Sequence, residues 1–92
     1  MRFEWNEEKN RVNVQKHSIN FNDVIGVFDN PMIEHIDVRN DYKENRWVGI
    51  GMMKHHVTVV VYTERIGDVI RIISARKANK REVSHYVKNI QN

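Results

Sequence analysis

The sequence predicts an α+β domain, an antiparallel-dominated sheet with two helices before it and one after. Three observations predict it. Two capped helical segments precede Pro31, the apolar period changes to two from Met32 onward, and the chain ends on a helical stripe of Val83, Tyr86, Val87 and Ile90. Helices and strands segregated in this way suggest a sheet with its helices packed on one face.

Phe3 to Trp5 reads as a short strand. Asn6 then caps a helix running to His17, with Glu7 and Glu8 in its positive first turn. Val12 and Val14 are the only aliphatic residues in that helix, so its neighbours must hold it. Asn20 caps a second helix, whose Phe21, Val24, Ile25 and Phe28 fall at i, i+3, i+4 and i+7. Asp29-Asn30-Pro31 stops it, because the residue before proline avoids helical geometry.

Met32–Asp37 reads as a strand, Val38–Asn45 as a polar connection, Arg46–Met52 as a second strand and His56–Thr63 as a valine-rich central one. Glu64–Asp68, with Gly67 in it, reads as a tight reversal, and Val69–Ala75 as the returning strand. Strands this close in sequence form an antiparallel meander. Asn79 and Glu82 make a near capping box for the last helix. Gly49 and Gly51 flank Ile50 without phosphate-loop spacing and mark a close-packed strand.

With 92 residues the chain makes one domain, 1–92. A domain this small buries roughly 60–65% of its unfolded surface, which leaves room for an open groove but not for a deep cavity. Apolar residues at 40% and charged residues at 29% argue against global disorder. Cysteine is absent, which excludes disulfides and thiolate metal sites. The opening residues carry charges where a secretory signal needs an apolar stretch, and no apolar run approaches about 18 residues, so a cytoplasmic protein away from membranes is expected. A net charge of +3 favours polyanionic partners.

The residues that could carry chemistry concentrate near the last hairpin. Glu64 and Arg65 end one strand, Arg71 points out from the next, and Arg76-Lys77 follow. Arg71 has Ile70, Ile72 and Ile73 around it and needs an anionic partner, either Glu64 or a phosphate. Arg71 and Arg76 are five positions apart, so a regular strand would place them on opposite faces; one shared site requires a bulge or a departure from the sheet near Ala75. Lys16-His17 end the first helix, where the dipole favours cations. Arg76, Lys77, Lys80 and Arg81 crowd the start of the last helix, an arrangement that suits an anionic ligand. His35 and His85 stand alone, and the adjacent His55 and His56 cannot easily converge on one ion, so neither a metal nor any other cofactor is expected.

These residues resemble the BrnT family, RelE-superfamily-like toxins of bacterial type II toxin–antitoxin systems. Phe3-Glu4-Trp5-Asn6 with Lys9, Asn10, Asn13 and Lys16-His17 carries the first block of the resemblance. Phe21 and Val27-Phe28-Asp29-Asn30-Pro31 carry the second. Tyr62-Thr63-Glu64-Arg65, Ile70 through Ala78, and Arg81-Glu82 carry the third and most specific. The sequence departs from the common pattern at Ser18, where glycine is usual, and at Asn6, where aspartate is. The resemblance implies a RelE-like fold, RNA cleavage that blocks translation, and a cognate BrnA-like antitoxin, with toxin and antitoxin forming a heterotetramer built on a dimeric antitoxin. By motif match it also implies catalytic roles for Glu64, Arg65, Arg71 and Arg76, with His17 and Lys16 as further candidates.

RNA supplies its own nucleophile, the 2′-hydroxyl, so a small protein can cut it without a metal. Arg71 and Arg76 are expected to bind the scissile phosphate and His17 to transfer a proton. Glu64 is expected to act as general base or, better, to orient Arg71. Lys16, Lys77, Lys80 and Arg81 are expected to bind RNA. Two alternatives compete with this reading: a basic module that binds RNA or ribosomes without cutting, and a protein-interaction domain whose basic face docks an acidic partner. The sheet lacks the aromatic pattern of an RRM, and no helix-turn-helix spacing is evident.

Overall fold

The computed structural model describes residues 1–38 and 45–90. Its elements follow the order β1 (Arg2–Glu4), α1 (Glu7–His17), α2 (Phe21–Val24), a 3₁₀ turn (Ile25–Asp29), β2 (Met32–Ile36), β3 (Trp47–Met53), β4 (His56–Arg65), β5 (Val69–Lys77) and α3 (Lys80–Ile90). Most of the predicted polar connection, Val38–Asn45, lies outside the described residues. The strands form one five-stranded sheet in the order β1-β5-β4-β3-β2. All pairings are antiparallel except β1 with β5, where Phe3 lies opposite Ile70 and Glu4 opposite Arg71.

α1 has no apolar stripe, and its buried side chains are Asn10 and Asn13. Asn10 Oδ1 accepts from the Phe21 amide, while its Nδ2 donates to Asn20. Asn13 Nδ2 donates to the Ile19 carbonyl, and its Oδ1 accepts from the Ala75 amide of β5. α1 therefore docks through buried amides that satisfy backbone groups, which would otherwise be costly to leave unpaired. Ser18 closes it in the left-handed region at φ 60°, donating its amide to the Val14 carbonyl.

The second predicted helix is interrupted. α2 lasts four residues before the chain tightens into the 3₁₀ turn, where the β-branched Ile25 and Val27 flank Gly26. Three-residue spacing then aligns Val24 with Val27, so Val27 is fully buried and Phe28 only in part. The hairpin reversal is also shorter than predicted: Glu64 and Arg65 remain in β4, and the turn is Ile66-Gly67-Asp68, with φ of 91° at Gly67 and 60° at Asp68.

Two apolar clusters lie on opposite faces of the sheet. Ile19, Phe21, Val24 and Val27 cover Met53, Val60, Tyr62, Ile70, Ile72 and Ala75. Tyr86 of α3 packs instead on Ile50 and Val59, with Val48, Val57 and Ile90 around them. The expected packing of all helices on one face is thereby corrected. Residues alternate along β4, so its valines point both ways, and α3 takes the face that α2 leaves uncovered. Gly51 is needed for close approach: a Cβ there would lie 2.8 Å from Val27 Cγ1.

Candidate active-site groove

α3 covers only part of its face. The uncovered remainder is a groove of about 370 Å³ whose lining includes His17, His35, Val48, Val61, Ser74, Arg76 and Glu82. A β-bulge shapes it. Val61 pairs with Ser74 and Tyr62 with Ile72, which leaves Ile73 as the extra residue in β5. The extra residue reverses the alternation, so Thr63, Val61 and Val59, all on one face of β4, lie opposite Arg71, Ser74 and Arg76. The two arginines therefore share a face, through the bulge that their spacing requires.

They do not share a hollow. Five positions at about 3.3 Å each, less the bulge, put their Cα atoms roughly 15 Å apart. Arg76 lines the groove; Arg71 does not. The two arginines stand in line along one face of β5, Arg76 in the groove and Arg71 beyond it.

Each guanidinium has a carboxylate. Arg76 Nη1 and Nη2 donate to Glu82 Oε1 and Oε2, both at 2.8 Å, a bidentate geometry that fixes the guanidinium plane. Glu82 also accepts from the Asn79 amide, while Asn79 Oδ1 accepts from the Glu82 amide, so the predicted capping box is also an arginine clamp. The Arg76 hydrogen bond, helped by the Asn79 amide and opposed by burial, lowers the Glu82 carboxyl to about 2. Arg71 Nη1 donates to Glu4 Oε2 at 2.7 Å, and Arg65 Nε stands 3.8 Å from the same oxygen.

The expected partnership of Glu64 with Arg71 is not formed. Glu64 pairs in register with Ile70 and shares the opposite face with Tyr62. Glu4 takes its place, brought there by the parallel pairing of β1. Lys77 lies opposite Thr58, on the other face from Arg76. Lys80 and Arg81 are exposed in the first turn of α3.

His17 is half-buried at the end of α1, between the groove and a second hollow lined by Lys9, Val12, Lys16, Ile73 and Ser74. The bond from Ala75 to Asn13 ties α1 to β5 and sets this position. Sequence reasoning missed Glu4, Ser74 and His35 and saw Glu82 only as a cap. Glu82 could have been found, since it lies six positions after Arg76 across a strand–helix junction. Among the described residues no three His, Asp or Glu side chains gather as metal ligands, and no helix is long and apolar enough to cross a membrane.

The family model for the ribonuclease toxin BrnT of type II toxin–antitoxin systems matches residues 5–82. The crystal structure of the Brucella abortus ribonuclease toxin BrnT is similar in fold, with a TM-score of 0.67 at 22% identity, covering 87% of this chain and 99% of that one. No curated protein matches the chain. The three blocks of resemblance, the mostly antiparallel sheet between its helices and the matched residues agree: the chain belongs to the BrnT family of type II ribonuclease toxins, a class defined by a partner antitoxin.

Proposed function

We propose that the protein is an endoribonuclease that cuts RNA without a metal at the Arg76–His17 end of the groove and so inhibits translation. The observation that carries this reading is the meeting of Arg76 and His17 at one groove, produced by the bulge at Ile73 and the docking of α1. An RNA 2′-hydroxyl in line with its phosphorus needs a proton acceptor, a stabiliser for the phosphorane charge and a donor for the leaving 5′-oxygen. Arg76, held in plane by Glu82, stabilises the charge. His17 accepts the 2′-hydroxyl proton as the O2′–P bond forms and returns it to the leaving 5′-oxygen as the P–O5′ bond breaks. Arg71, roughly 15 Å along the same face, and Arg65, roughly 20 Å along it, contact the backbone of the same strand rather than the scissile linkage. Lys16 extends the cationic track beside His17, and Lys80 and Arg81 extend it at α3. Glu64 and Lys77 lie across the sheet from Arg71 and Arg76 and take no part in the chemistry.

A BrnA-like antitoxin, dimeric and forming a heterotetramer with the toxin, would neutralise this activity in the cytoplasm. Cleavage of a single-stranded RNA in excess EDTA tests the activity. The expected products end in a 2′,3′-cyclic phosphate, and a substrate lacking 2′-hydroxyls stays intact. A shifted complex with uncut RNA would show a binding module instead, and activity only with added divalent ions would overturn the metal-free chemistry.

A further inference from the structure

His35 has no part in the chemistry above, yet it lines the groove. It lies in cross-strand register with the groove floor: His35 pairs with Val48, Val48 with Val61, and Val61 with Ser74. This row runs straight across the sheet from exposed His35 to the Ser74 wall beside His17. Val48 and Val61 are only partly buried, and they form an apolar floor between two polar ends.

Two roles for His35 can be separated by distance. Three strand spacings of about 4.8 Å put its Cα roughly 14 Å from that of Ser74, too far for His35 to serve the phosphate that His17 serves. The same span suits a nucleotide whose phosphate sits at Arg76 and His17 and whose base lies over the valines. A groove of about 370 Å³ lies within the roughly 300–1,000 Å³ usual for small-molecule sites. An apolar floor carries no charge to attract a phosphate, whereas a base has an apolar face to bury, and histidine is among the side chains on which unpaired RNA bases stack.

We propose that His35, Val48 and Val61 form a nucleobase subsite, with His35 stacking on the base adjacent to the cleaved linkage and setting base preference. This assignment rests on the reading of Arg76 and His17 as the cleavage site. The test uses probes that cannot be cut: labelled 2′-fluoro homopolymers of each base and an abasic strand of equal length and charge, with binding followed by fluorescence anisotropy. The wild-type protein is expected to bind its preferred homopolymer about tenfold more tightly than the abasic strand, within the range that base stacking supplies. His35→Ala, an exposed position, should lose most of that ratio without changing abasic affinity, and His35→Phe should keep it. An unchanged ratio in His35→Ala, or no base preference in the wild type, overturns the subsite. Cleavage of unmodified RNA is scored in parallel: cleavage without base preference removes the subsite alone, and base preference without cleavage removes the nuclease, and with it the link to a cleaved linkage, leaving only a base-binding groove.

Discussion

At the scale of single residues, two kinds of arginine occupy one face. Arg76 is clamped by Glu82 at the groove, and Arg71 is paired with Glu4 beyond it. Their losses should therefore differ in kind. Arg71→Ala is expected to weaken RNA binding and lower the salt dependence of affinity by nearly one counterion, with little change in the rate at saturation. Titrations at several salt concentrations check this, and an unchanged slope would show that Arg71 touches no phosphate. Ser18 carries a separate cost. It holds φ at 60°, a left-handed conformation where a side chain is disfavoured and glycine is not. Ser18→Gly is expected to stabilise the fold by about 0.5–1 kcal/mol, the left-handed penalty less the entropy of glycine in the unfolded chain. A higher Tm for the variant would bear this out.

At the scale of elements, α1 depends on Asn13 and α3 on Glu82. Asn13→Ala leaves the Ile19 carbonyl and the Ala75 amide without their partner and should cost about 2–4 kcal/mol by urea unfolding. It should also lower cleavage by displacing His17. A cost below about 0.5 kcal/mol would mean that water replaces the amide. Glu82→Gln retains a side chain able to cap α3 but removes the charge from the Arg76 pair. Because the Glu82 carboxyl is held at about 2, below its ordinary 4.5, the pair stabilises the folded state above pH 4.5. That contribution fades as pH falls from about 4.5 through about 2. The Arg76 side chain is 43% exposed, so about 1–2 kcal/mol is expected at neutral pH. The stability gap between wild type and Glu82→Gln should be flat above pH 5 and close near pH 2; a gap independent of pH would assign the effect to packing.

At the scale of the whole molecule, the locally encoded features were legible. The three helical segments, the period-two strands and the Asn79–Glu82 cap all follow from neighbours within a few positions, whereas a bulge between Arg71 and Arg76 was expected only on the condition that both serve one site. The location of the bulge at Ile73 was not legible. No glycine or proline marks it, and it is defined by register against Val61 and Tyr62. The Glu4–Arg71 pair spans 67 positions and depends on a parallel pairing that neither strand signals alone. Glu64 looked the better partner because it is close in sequence, but strand alternation points it the other way. The sidedness of α3 was hidden for a similar reason: β4 is apolar on both faces, so its valines do not say which face a helix will take.

The most direct measurement is the single-turnover cleavage rate of saturating RNA in EDTA by Arg76→Ala, compared with wild type and Arg71→Ala. Loss of one preorganised charge-stabilising donor should slow Arg76→Ala by about 10²–10³, with Arg71→Ala close to wild type. Arg76→Ala cutting at the wild-type rate, or Arg71→Ala suffering the larger loss, would contradict the placement of the chemistry at the Arg76–His17 groove.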